Sequence, residues 1–157
     1  MNQTNILISA CLLGQPVRYN GTDLLQEHPR IKIWQQQKRL ISICPEVAGG
    51  MSTPRAPAEI VSLKPIKVVD YNQHDVSAEF TQGAHKALEM ALNNNCIIAI
   101  LTENSPSCGS NHIYDGSFSG IKKKGVGITT KLLEQNNIRV FSQNQIDEAN
   151  LFLSAYE

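Results

Sequence analysis

The sequence predicts an α/β fold: a single layered domain over residues 1–157, with a mainly parallel, Rossmann-like sheet flanked by helices. Three observations predict it. Short apolar runs rich in β-branched residues recur at residues 5–9, 39–44, 96–101 and 138–141. Segments with helical periodicity lie among them, so strand and helix alternate. The chain has 157 residues, 41% of them hydrophobic, and so can bury a core without staples.

"NILIS", residues 5–9, suits a central strand. "ACLLGQPVRYNG" after it is loop-like, with Gly14, Pro16 and an Asn20-Gly21 turn signal. Residues 23–37 have helical character interrupted at Pro29. "RLISIC", residues 39–44, is a second strand. "PEVAGGMSTPRAPAE" is dense in Gly and Pro, has no core periodicity and reads as a loop. "IKVVD", residues 66–70, is a further strand at a sheet edge. Ser77 is placed to cap a helix running to about Asn93, with Phe80, Ala84, Ala87, Leu88, Ala91 and Leu92 on one face. "CIIAIL", residues 96–101, is the next strand. A helix begins near Gly127, turns Ile128, Leu132 and Leu133 inward, and stops at Asn136-Asn137. "IRVF", residues 138–141, is the last strand, and a helix on Ile146, Ala149 and Leu153 closes the chain.

Lys plus Arg and Asp plus Glu number 14 each. That balance argues against a nonspecific grip on nucleic acid or on an anionic membrane. "KKK" at residues 122–124 marks a solvated loop. No basic n-region precedes a long apolar run, and no run approaches a membrane span. The expected compartment is the cytoplasm. There, four cysteines are more often ligands, nucleophiles or core residues than disulfides.

In an open parallel sheet, ligands bind beyond the carboxyl ends of the strands. Cys11 lies just past the first strand, and Cys44 ends the second. Cys108 lies in "NSPSCGSNHIYDGSFSG", the loop after the strand ending near Leu101. The fold class therefore carries three distant cysteines to one edge. Cys96 opens a strand beside Ile97 and Ile98 and reads as a small core hydrophobe. Three readings of the trio stand open. The thiols are buried separately and inert; or they join His112 in a Cys₃His zinc site; or they hold an iron–sulfur cluster that leaves one iron free as a Lewis acid. With neither a CxxC knuckle nor a ferredoxin run, spacing does not separate the last two. His28, His74 and His85 show no ligand spacing.

"SACLLG", "RYNG", "CPEVAGGMSTPRAPAE" and "SPSCGSNHIYDGSFSG" together resemble the 2-thiouracil desulfurase family, in the same order and over essentially the whole chain. CPE and SPSCG are the most specific blocks. The resemblance implies a compact α/β fold and an oxygen-sensitive [4Fe–4S] cluster held by Cys11, Cys44 and Cys108. It implies catalytic roles for Glu46 and Ser105, and hydrolytic, non-redox removal of sulfur from a thiolated pyrimidine such as 2-thiouracil. Arg55, Ser107 and Gly109 are the expected substrate-binding positions. The expected partner is a small molecule, with a modified RNA base left open and no membrane involved. The chain departs from the family pattern in reading RYNG rather than RYDG, in lacking a basic residue before SPSCG, and in carrying Val17 where some members have a cysteine. None of these removes an expected ligand. The rival readings are a structural or regulatory zinc protein and a metal-free cysteine-nucleophile enzyme.

Overall fold

A computed structural model describes residues 4–157. Residues 1–3, which the predicted domain includes, lie outside the described residues. β1 (Asn5–Ser9) runs into a 3₁₀ turn (Ala10–Leu13), then α1 (Pro29–Gln36), β2 (Leu40–Ile43) and a one-turn α2 (Pro45–Ala48). β3 (Ala58–Leu63), β4 (Ile66–Asp70), α3 (Ser77–Asn93) and β5 (Cys96–Ile100) follow. β6 (His112–Tyr114) and β7 (Lys122–Lys124) precede α4 (Ile128–Gln135), β8 (Arg139–Phe141) and α5 (Ile146–Tyr156).

The central sheet has the order β2-β1-β5-β8 and is parallel throughout. Side-chain alternation along each strand assigns its two faces. Ile6, Ile8, Ile98 and Ile100 turn to one side and meet Trp34 of α1 and Ile146, Ala149 and Leu153 of α5. Leu7, Ala99 and Val140 turn to the other and meet Ala87 and Ala91 of α3 and Leu133 of α4. Both faces are covered, which is why these strands read as continuous apolar runs rather than as alternating ones. The predicted α/β class is the observed one. Among the described residues, no helix is long and apolar enough to cross a membrane.

Several elements differ from the sequence reading, each for a local reason. Only Pro29–Gln36 of the expected first helix forms. Pro29 suits the first helical position, and it holds His28 in extended backbone, where the imidazole caps the helix by accepting from the Arg30 amide. The expected loop after Cys44 opens with α2, because Pro45 again supplies a pre-set first residue. "IKVVD" is no edge of the main sheet. It pairs antiparallel with β3, a strand that begins on the last two residues of the Pro-rich "PRAPAE" run and continues to Leu63. Ser77 does not cap α3; its hydroxyl accepts from the Val68 amide instead, tying the helix to β4. Leu92 is exposed, and Gly83 takes part in the buried face. The three lysines are solvated as expected, but in a strand, β7, paired with β6.

Gly83 matters because α3 and α2 touch backbone to backbone. A Cβ on Gly83 would lie 2.0 Å from the Pro45 carbonyl oxygen, and one on Gly49 would lie 2.0 Å from that of Glu79. This close approach fixes α2, and with it Cys44 and Glu46, against the helical layer. Gly83→Ala is expected to cost about 1–3 kcal/mol. The check is a lower urea midpoint with an unchanged slope.

Candidate active site and metal centre

The strand order places the crevice. From β1 the chain steps outward to β2, then returns across β1 to β5 and on to β8. The connections diverge between β1 and β5, the switch point where open α/β sheets bind ligands. A cavity of about 360 Å³ opens there, at the carboxyl ends of the strands, and Cys11, Cys44 and Cys108 all line it.

Each thiol arrives on a different device. Cys11 sits in the 3₁₀ turn after β1, its Sγ 3.0 Å from Thr102 Oγ1. Cys44 is the extended residue before α2, its Sγ 3.9 Å from the Val17 carbonyl oxygen. Cys108 is carried by the loop after β5, whose backbone the Thr130 hydroxyl holds by donating to the Cys108 carbonyl. Burial pushes all three thiols above the ordinary thiol range. After burial, Cys11 is raised further by the nearby Cys44, and Cys108 by Cys44, Glu46 and Cys11. The three sulfurs feel one another, and burying them as anions is unfavourable without a cation between them. None is in a disulfide. Cys96 stands apart at the start of β5, pushed up to about 12 by burial alone.

His112 does not join the trio. It lies on β6 with an exposed side chain, so the Cys₃His zinc set of the sequence reading does not assemble. Among the described residues, no three His, Cys, Asp or Glu side chains form a group that could hold a metal ion. The thiols surround a space rather than a point. Three soft donors so arranged suit a multi-iron body better than one zinc.

Beside the thiols stands a short polar chain. Arg55 Nε donates to Glu46 Oε1 at 3.0 Å, and Ser105 Oγ donates to Glu46 Oε2 at 3.4 Å. Ser105 Oγ in turn accepts from the Ser107 and Cys108 amides, both at 3.1 Å. With its lone pairs occupied, the hydroxyl can aim its one proton only at Glu46. The loop that presents Cys108 thus also orients Ser105.

The three expected substrate-binding positions differ in their placement. Arg55 lines the cavity, but its remaining guanidinium bonds go to Ser52 O, Thr53 Oγ1 and Val17 O. With its side chain only 6% exposed, Arg55 clamps Glu46 and the Val17 segment from within the cavity wall. Ser107 does not line the cavity; its hydroxyl pairs with Thr129 Oγ1 at 2.8 Å inside the protein. Gly109 is also outside the lining, pressed against the hairpin so that a Cβ would lie 2.6 Å from the His112 carbonyl oxygen. Asn20 bonds the hydroxyl and amide of Thr22 in its own turn, so the RYNG departure does not alter the cavity wall.

Sequence reasoning missed Glu103, which it treated only as part of a stretch lacking a basic residue. Its Oε1 accepts from the amides of Asn104, Ser110, Asn111 and His112, and its Oε2 from Asn111 Nδ2. One carboxylate thereby gathers the loop that bears Cys108. Burial opposes its ionisation. The Asn111 side chain and the surrounding amides outweigh burial and hold the carboxyl below the usual Glu range. A carboxyl held low in the fold adds stability above its unfolded pKa, and that stability is lost as pH falls through the folded value. Glu103→Gln is therefore expected to cost about 1 kcal/mol at neutral pH and to flatten the acid side of the stability profile. Urea midpoints measured from about pH 7 down to pH 3 check both effects.

The family model for 2-thiouracil desulfurase matches residues 6–145. The chain belongs to the 2-thiouracil desulfurase family. Within and around this desulfurase family, two similar proteins are informative. The uncharacterized protein YbbK of Bacillus subtilis (strain 168) is 42% identical over 150 residues, covering 91% of this chain and 98% of YbbK. The solved structure of the [4Fe-4S]-dependent thiouracil desulfidase TudS superposes with a TM-score of 0.93 at 45% identity, covering 97% of this chain and 99% of that one.

Proposed function

We propose that this desulfurase-family chain hydrolyses a thiolated pyrimidine with a [4Fe–4S] cluster held by Cys11, Cys44 and Cys108. One observation carries the reading. Three thiols from three strand ends line a single cavity beside the Glu46–Ser105 pair. The donor set fits the cluster: two buried sulfurs and a half-buried one, mutually repelling when ionised, around a shared cavity. When bound, the cluster supplies a thiophilic Lewis acid at the one iron that no cysteine occupies.

The chain's own residues do the rest. The cavity sits at the lower end of the size range for small-molecule sites, which favours a single base over a larger substrate. Glu46 Oε2 takes a proton, from water or from Ser105 Oγ, a role that its hydrogen bond with Ser105 supports. Arg55, bonded to the other carboxylate oxygen, keeps that acceptor pointed at Ser105. The Ser107 and Cys108 amides stabilise negative charge on Ser105 Oγ when its proton moves to Glu46. Water adds its oxygen to the thiocarbonyl carbon, the carbon–sulfur bond breaks, and sulfide leaves. Oxygen replaces sulfur at one carbon, with no net electron transfer.

Anaerobic reconstitution with iron and sulfide, followed by sulfide assay against a panel of thiolated pyrimidines, tests the reading. Stoichiometric sulfide and uracil, with the new oxygen drawn from isotopically labelled water, is the expected result. A reconstituted protein that carries the cluster and releases sulfide from none of the panel overturns it.

A further inference from the structure

Three glutamates line the cavity, and two of them are fully engaged. Glu46 spends both oxygens on Arg55 and Ser105, and Glu103 spends both on loop 104–112. Glu59 differs. It enters from β3 and is only 8% exposed. Its Oε1 accepts from the Gly116 amide at 2.9 Å and the Phe118 amide at 3.2 Å, tethering loop 115–120. Its Oε2 has no hydrogen-bond partner among the described residues. No buried side-chain polar atom among those residues lacks a partner, so Oε2 is not sealed into the wall but keeps accessible surface, and the residue that carries it lines the cavity. A carboxylate oxygen in so enclosed a place calls for a donor.

We propose that Glu59 is a substrate-recognition residue whose free oxygen accepts a ring N–H of the bound base. The inference rests on the thiopyrimidine reading of the same cavity. In the thione form, a thiolated pyrimidine carries an N–H next to the carbon that loses sulfur. A carboxylate facing that N–H favours the neutral thione over the ring-deprotonated thiolate, which it repels. It thereby selects the form whose carbon accepts water. The ligand class is a planar lactam-thione with a free ring N–H.

Glu59→Gln tests this sharply. The Gly116 and Phe118 amides are donors, so they pin the new side chain with its carbonyl oxygen on the loop. The amide nitrogen then faces the cavity, presenting a donor to a donor. The loop tether survives while the cavity-facing polarity inverts. The experiment uses reconstituted holoenzyme, with 2-thiouracil and its 1-methyl and 3-methyl derivatives as substrates. Wild-type turnover of 2-thiouracil tests the underlying reading by itself. If that holds, wild type is expected to disfavour one methylated isomer by about 10- to 100-fold in kcat/KM. Glu59→Gln is expected to raise KM for 2-thiouracil about tenfold or more and to erase the discrimination between the isomers. The ratio between isomers is internal to each preparation, so partial cluster loss does not distort it. If Glu59→Gln keeps the wild-type KM and the wild-type isomer ratio, Glu59 is only a loop tether and the proposal is overturned.

Discussion

Replacing Cys108 by alanine is expected to leave a colourless protein that releases no sulfide. Cys108 is the most deeply set of the trio, at 5% exposure, on a loop segment held by Glu103, Ser105 and Thr130. Removing its sulfur therefore cannot be made good by loop movement. Cys11→Ala and Cys44→Ala are expected to strip or impair the cluster likewise, since a three-thiolate set has no spare donor. The measurements are visible absorption and acid-labile sulfide after anaerobic reconstitution. Cys96→Ala is the control. It lies at the opposite end of β5 from the cavity, and its loss is expected to cost about 1 kcal/mol with the cluster retained. A metal-free cysteine nucleophile predicts a different pattern, in which one of the three replacements abolishes turnover and the other two do not. That pattern would exclude the cluster reading.

Glu46→Gln is expected to keep the cluster spectrum and to lower kcat about 10²–10⁴-fold, the usual worth of a positioned proton acceptor. Two effects must be separated in that variant. Glu46 is also the ion-pair partner of the buried Arg55, at 3.0 Å. Removing one member of a buried pair strands the other charge and costs up to about 3–5 kcal/mol. The glutamine keeps an oxygen for Arg55 Nε, which limits that loss. Thermal unfolding measures the structural part, and single-turnover sulfide release at saturating substrate measures the chemical part. A variant of unchanged kcat, whatever its stability, would remove Glu46 from the proton-handling role.

The neighbours of these residues show what was legible beforehand. The meeting of Cys11, Cys44 and Cys108 followed from parallelism alone, because parallel strands deliver their carboxyl ends to one edge. Nothing in the spacing told a cluster from zinc. The exclusion of His112 depended on the hairpin formed by β6 and β7, whose register was not readable from three consecutive lysines. Glu103 and Glu59 were invisible as functional residues for a similar reason. A lone glutamate is ordinarily solvated, and only the folded chain shows four amides converging on one and two on a single oxygen of the other.

The sequence by itself determined the layer class, the four strands of the parallel sheet and the helix faces built on Phe80, Ala87, Ile146 and Leu153. These are local patterns, since period and apolarity are properties of neighbouring residues. Tertiary structure alone decided the rest. It turned Ser107 inward to Thr129, committed Arg55 to Glu46 and Val17, and set Glu59 in the cavity wall with one oxygen on the Gly116 and Phe118 amides. Such roles depend on hydrogen-bond partners far away in the chain, up to 59 residues apart for Glu59 and Phe118. A local pattern does not encode that distance; the close packing of loops over the sheet edge does.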